Sequence, residues 1–355
     1  MQTTMQTTIQ TTMRRRGTRS ALLAVAVVSL AAACGADDTA TTSGPAAGGT
    51  EDGAGDAAPA EGFPLTVQNC GVEVSFDQPP STVVLLESAP VTILQGLGVL
   101  DSVVLRAGAY PEEYYDAETF AAIEAIPSMG EELDRSGHLQ ISMEAIIDAE
   151  PDLVFGLPDG VSREGLADAG IQVLEHPVYC AGDAGATSFD DVFEQVETYG
   201  DIFDRRDEAA AMVDELRGRV EDVQADVGEA SGRTAAVLFP TVGGGSGYAY
   251  GNKSMAHPQL EAAGFTNAFA DVDERVFEVT LEQLISRDPD VLVLLHVDGE
   301  PGPVKDAVVN LPGAASLTAV RNDDILVQLF NFTEPPTPVS VDGLERIAEH
   351  FGGAG

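Results

Sequence analysis

The chain has 355 residues and a formal net charge of −40, with 58 acidic side chains against 18 lysines and arginines. Only two of those cations are lysines, Lys253 and Lys305. Such a balance excludes a nucleic-acid partner, which needs a Lys/Arg-rich face, and describes an acidic, solvated body long enough for two lobes.

The N-terminus sets the compartment. After a short repeat, "MQTTMQTTIQTTM", translation is expected to start at Met13, and "MRRRGTRS" (13–20) is a positive leader. The apolar run 21–33 has 13 residues, too few for a membrane span of about 20. It ends at Cys34, as in a bacterial lipoprotein signal whose cysteine becomes the lipidated first mature residue. Leu30 stands four positions before that cysteine, where three is usual. An ordinary secretory signal cut near Ala33 is the alternative, and the arginine run leaves Sec and twin-arginine export both open. After Cys34, the rest of 34–62 is mostly Gly, Ala, Asp, Thr and Pro with almost nothing to bury, which predicts a disordered tether. The expected arrangement is an extracytoplasmic body anchored to the cell membrane through Cys34.

Residues 63–187 alternate apolar strands (82–88, 102–108, 151–157, 171–177) with helical stretches such as 89–100, which predicts an α/β lobe on a parallel sheet. Cys70 and Cys180 lie in this part. Outside the cytoplasm an even pair reads as a disulfide, here across 110 residues, with two buried free thiols as the alternative. Residues 188–230 follow as a bridging helix. Ser188 caps it, Asp190 and Asp191 fill the first turn, and Ala209, Met212, Val213, Leu216, Val220 and Val223 share a face. Residues 231–355 return to strand–helix alternation in a second lobe, with strands at 234–240, 290–296 and 324–330. The lobes echo each other. "ISMEAIIDAEPDLVFGLPDG" (141–160) matches "VTLEQLISRDPDVLVLLHVDG" (279–299), so that Glu144 pairs with Glu282 and Pro151-Asp152 with Pro289-Asp290, all 138 residues apart.

A glycine-rich stretch, "TVGGGSGYAYGNKSMAHP" (241–258), follows the first strand of the second lobe. It is not a Walker loop, because Asn252 separates Gly251 from Lys253. It is not a nucleophile elbow, because Tyr248 stands where the second glycine belongs, although Ser246 or Ser254 keeps a secreted serine hydrolase as a distant alternative. Its place at a strand's carboxyl end fits a ligand cleft, with Tyr248 and Tyr250 as flat surfaces and Lys253 as a charge. Equivalent strand ends supply Glu87, Ser88, Arg106 and Tyr110 in the first lobe, and His296, Phe330 and Asn331 in the second. Arg106 is the expected receiver of an anionic ligand, since a guanidinium keeps its charge. The five histidines show no metal-ligand spacing, so no metal site is expected.

The segments "PPSTVVLLESAPVTILQGLGVLDSVV", "SMEAIIDAEPDLVFG", "YAYGNKSMAHPQLEAAGFTNAFADV", "VTLEQLISRDPDVLVL" and "VRNDDILVQL" resemble the substrate-binding lipoproteins of ABC importers, in the branch that handles ferric siderophores, haem and cobalamin. The resemblance implies an α/β fold of two Rossmann-like lobes joined by one long rigid helix, with ligand in the cleft between them. It implies a non-enzymatic, monomeric protein with no cofactor beyond its lipid. A ferric siderophore is the expected cargo, with cobalamin or haem as alternatives; haem would need an axial ligand such as Tyr110, Tyr250, Met255 or His257. It also implies that Glu144 and Glu282, one per lobe, dock on a membrane permease.

Overall fold

The computed structural model describes residues 62–130, 139, 141–180, 185–228, 231–243 and 247–352. The expected signal, Cys34, nearly all of the tether and Ser246 lie outside the described residues. No helix among the described residues is long and apolar enough to cross a membrane.

The body opens with a hairpin, β1 (Leu65–Asn69) and β2 (Val72–Phe76), turning at Cys70-Gly71. Both turn residues have positive φ, 55° and 76°, as a tight two-residue hairpin requires. Cys70 is joined to Cys180 in a disulfide, which fastens this turn to the far end of the first lobe. That lobe runs β3 (Val83–Leu85), α1 (Val91–Gly96), β4 (Val103–Arg106), α2 (Ala117–Ala125), α3 (Met143–Ile147), β5 (Leu153–Phe155), α4 (Arg163–Asp168) and β6 (Gln172–Leu174). The four strands β4-β3-β5-β6 pair in parallel. Every residue of β3 and β5 is buried, as expected for a parallel sheet covered on both faces.

The expected single bridging helix over 188–230 is instead two helices, α5 (Phe189–Ile202) and α6 (Arg206–Val227). Ser188 and Asp191 form a reciprocal cap at the start of α5. The chain breaks where Asp204 takes a left-handed φ of 54° and the Arg205 N–H returns to the Gly200 carbonyl at 2.7 Å. Gly200 permits the turn, because a Cβ there would sit 2.4 Å from the Ala209 Cβ. The 22 residues of α6 span about 33 Å.

The second lobe runs β7 (Thr234–Phe239), β8 (Gly247–Tyr250), α7 (Ala256–Ala262), β9 (Thr266–Asn267), β10 (Val276–Val279), α8 (Leu281–Arg287), β11 (Val291–His296), α9 (Pro301–Val309), α10 (Thr318–Asn322), β12 (Ile325–Leu329) and α11 (Pro338–Gly352). Its sheet has the order β10-β8-β7-β11-β12, with β9 beside β7. Strands β7, β11 and β12 are parallel, β8 runs antiparallel to β7, and β10 pairs antiparallel with β8 at the edge.

One apolar core crosses the whole body. It includes Leu85 and Phe155 of the first sheet, Val213, Leu216 and Val220 of α6, Val237 and Val293 of the second sheet, and Ile347 of α11. Arg219 on α6 holds α11 with Nε donating to Glu345 at 2.8 Å and Nη2 reaching both Glu345 and Asp342.

The duplicated Pro-Asp step has a defined job. Asp152, just before β5, accepts from the Ser81 and Thr82 N–H groups at 2.8 and 3.0 Å, at the start of β3. Asp290, just before β11, accepts from the Thr234 N–H at 2.9 Å, at the start of β7. Each aspartate therefore clips two parallel strands together at their amino ends. Desolvation works against the Asp152 carboxylate, but the Ser81 and Thr82 hydrogen bonds outweigh it and hold its pKa below the usual range. Asp152→Ala and Asp290→Ala are each expected to cost about 1.5–3 kcal/mol, the value of hydrogen bonds to a charged group. The sites share no partner, so the double variant should show the sum in urea unfolding; a cost near zero at either site would remove its clip.

Candidate ligand cleft

The carboxyl ends of the parallel strands in both lobes come together across one crevice, the position where open α/β sheets bind ligands. From the first lobe come Glu87 and Ser88 after β3, Tyr114 beyond β4, and His176 and Tyr179 after β6. From the second come Tyr248 on β8 and Asn331 and Glu334 after β12. The two sides touch. Asn331 Nδ2 donates to Ser88 Oγ at 3.0 Å, and the Asn331 N–H donates to the Tyr114 hydroxyl at 2.9 Å. His176 accepts the Val178 N–H on Nδ1, which leaves Nε2 to donate to the Pro336 carbonyl at 2.9 Å. Burial, the largest influence on His176, lowers its pKa to about 4 and keeps the ring neutral. The Thr187 hydroxyl donates to the Lys253 carbonyl at 2.7 Å, and the Arg275 guanidinium lies 5.5 Å from the centre of the Tyr179 ring.

The residues singled out from the sequence divide into two groups. Glu87, Ser88, Asn331 and Tyr248 stand at the crevice, and Tyr248 is 40% exposed. Phe330 follows β12 and packs edge-on against Phe239, ring centres 6.0 Å apart. The other group is occupied elsewhere. Arg106 is 5% exposed; its Nε donates to the Ile123 carbonyl at 3.1 Å and its Nη2 pairs with Glu124 at 2.8 Å. It ties the end of α2 to β4 and does not stand open as a receiver for anions. Tyr110 is buried beneath the strand ends, its hydroxyl 3.2–3.3 Å from the carbonyls of Leu85, Glu87 and Ala107. Tyr250 shares a face of β8 with Tyr248 but lies deeper and is buried. Lys253 pairs with Asp273 at 3.3 Å, and buried His296 bonds the Asp298 carbonyl through Nδ1 at 2.9 Å. Ser254 is fully buried with its hydroxyl donating to Gly251, so it offers no exposed nucleophile. Met255 is fully buried too, and half-buried His257 lies 3.5 Å from Glu261.

Tyr179, Arg275 and Glu334, like His176, are residues of the crevice that had escaped the sequence reading. Arg275 Nη1 pairs with buried Glu334 at 3.0 Å, and the other carboxylate oxygen of Glu334 accepts the Met255 N–H at 2.9 Å. Burial raises the Glu334 carboxyl, with Arg275 and that N–H opposing the rise. Tyr179 lies between the lobes. Desolvation, then the carboxylates of Glu334 and Glu87, push its phenol well above the usual range, although part of its surface remains open. Burial, with repulsion from Glu175, pushes half-buried Glu87 up to about 7. Glu144 and Glu282 are both exposed, each the second residue of its short helix behind a Ser142 or Thr280 cap.

Residues 83–327 match the family model described as periplasmic binding protein, and the chain belongs to that family. It is the substrate-binding component of an ABC transporter, a class that works with membrane permease components on small-molecule ligands outside the cytoplasm. A solved structure of an ABC-type Fe3+-hydroxamate transport system from Saccharomonospora viridis is 71% identical, covers 82% of this chain and 99% of that chain, and has a TM-score of 0.79. A cobalamin-binding protein of Halobacterium salinarum is 26% identical over 81% of this chain and 74% of its own length. An uncharacterized ABC transporter substrate-binding lipoprotein of Bacillus subtilis is 24% identical over 81% of this chain and 86% of its own.

The raised Glu87 carboxyl has a consequence for stability. The folded protein holds this proton to a pH of about 7, whereas the unfolded chain releases it near 4.5. Between those values the folded state binds more protons, so stability falls as pH rises. Glu87→Gln removes the penalty. It should melt with wild type at pH 4.5 and be more stable at pH 8, by about 1–3 kcal/mol for a shift of this size in a partly open site. A constant difference across that range in calorimetry would show that Glu87 does not titrate there.

Proposed function

We propose that the protein captures a ferric hydroxamate-type chelate in this crevice and delivers it to a permease while anchored through lipidated Cys34. The observation that carries this reading is the 71% identity, over 99% of its length, to the structure described as an Fe3+-hydroxamate transport system. The lipid anchor rests on the leader sequence and on the Bacillus relative named a lipoprotein. Open aromatic surface at Tyr179 and Tyr248 suits the organic skirt of a chelate. Three of the four axial candidates for haem, Tyr110, Tyr250 and Met255, are buried in the lobes, and the fourth, His257, lies against Glu261. Cobalamin is the second reading, favoured by the Halobacterium relative. The protein acts without catalysis or a resident cofactor, as a monomer. Glu144 and Glu282 are the permease-docking pair, exposed at matching helix positions.

In a thermal-shift series, a ferric trishydroxamate at 100 times its Kd should add about 2.7 kcal/mol of stability, while haem and cobalamin leave the melting point unchanged. Stabilisation by cobalamin alone would replace the iron reading with the second one. For docking, Glu144→Ala combined with Glu282→Ala should abolish uptake into cells with Kd for the chelate unaltered. Uptake at the wild-type rate would reject the pair.

A further inference from the structure

We infer that the crevice selects a chelate of zero or positive net charge, and that Glu87 receives a cationic group of that ligand. This rests on the ferric-chelate reading and specifies its substrate.

Three of the cations near the strand ends are already committed, Arg106 to Glu124, Lys253 to Asp273 and Arg275 to Glu334, and exposed Arg346 is stacked on Phe332, 4.3 Å from the ring centre. The Arg275–Glu334 pair brings no net positive charge, and Glu334 cannot turn away to release it without leaving a buried carboxylate alone. Glu87 is the opposite case. Its side chain lies over Gly156 at the end of β5, where an added Cβ would meet the Glu87 Cγ at 3.2 Å. It is half-buried, and its carboxylate has no hydrogen bond or ion pair among the described residues. A partly desolvated carboxylate without a partner is unfavourable until a cation or donor arrives. An ammonium on the ligand supplies that partner. An anionic chelate meets unpaired Glu87 and a protein of net charge −40, whereas the nearby Glu175 is paired with Arg163 at 3.9 Å.

The test uses two probes with one iron-binding unit: a linear ferric trishydroxamate with a free ammonium tail, and the same chelate with that amine acetylated. Kd is measured on the purified full chain at pH 8 and low salt, with a ferric tris-catecholate as the anionic control. The ammonium form should bind at least tenfold more tightly than the acetylated form, and the catecholate should be weakest. In Glu87→Gln the ratio between the two hydroxamates should fall to near one, and Glu87→Asp should restore part of it. Reading a ratio within one variant separates recognition from a general loss of folding. Equal affinity of the two forms for wild type, or tightest binding of the catecholate, overturns the charge inference but leaves the hydroxamate reading standing. An unchanged ratio in Glu87→Gln overturns the role of Glu87. Binding of neither hydroxamate defeats the ferric-chelate reading, and this inference falls with it.

Discussion

The crevice depends on an apolar core that does not stop at the boundary between lobes. Helix α6 buries Val213, Leu216 and Val220 in a cluster that also holds the inner faces of both sheets, and α11 closes it from the second lobe. Separating the lobes would expose part of this surface at roughly 25 cal/mol per Å² of apolar area. Arg219 adds a forked bond from α6 to α11, which orients the two helices as well as holding them. The lobes are thus parts of one packed body, and recognition relies on a crevice largely formed in advance. Asn331, Ser88 and Tyr114 add polar contacts that cross the gap.

That rigidity explains why charge placement matters so much here. A site that closes by large domain movement can gather new side chains around its ligand. A site held nearly fixed must carry its complementary groups beforehand. Lys253 and Arg275 are in finished pairs and Glu87 is left without one among the described residues, while aromatic faces at Tyr179 and Tyr248 supply area without charge. The acidic exterior adds a long-range field of the same sign, so the nearby and distant electrostatics favour the same kind of ligand.

The fold was legible because its signals are periodic or repeated: buried apolar strands, the Ser188 cap, and the duplicated Glu and Pro-Asp steps. The break in the bridge was less so, since it depends on Gly200 meeting Ala209, a contact between residues that are close only after folding. The site was legible in position and not in detail. Strand ends can be located from sequence, which found Glu87, Ser88 and Asn331. The direction of a long side chain cannot, and Arg106 turns toward the Ile123 carbonyl and Glu124. Arg275 gave no signal at all, because nothing in "DVDERVF" reveals that this arginine meets Tyr179 and Glu334 from elsewhere in the chain.

The duplication also shows which parts of a lobe are free to diverge. Asp152 and Asp290 clip the amino ends of their strands in the same way, and α3 and α8 begin with the same cap and glutamate. A helix that leads into a parallel strand runs antiparallel to it, so its first turn lies near the carboxyl ends of the sheet. Glu144 and Glu282 are therefore on the same side of their lobes as the crevice. At the crevice itself the lobes differ: the second adds β8 and β10, which bring Tyr248 and Arg275, and the first supplies Glu87 and Tyr179. The docking role proposed for the two glutamates uses that symmetry, whereas an irregular ligand uses the asymmetry between the lobes. The proposed docking pair and the proposed ligand site therefore share one side of the body.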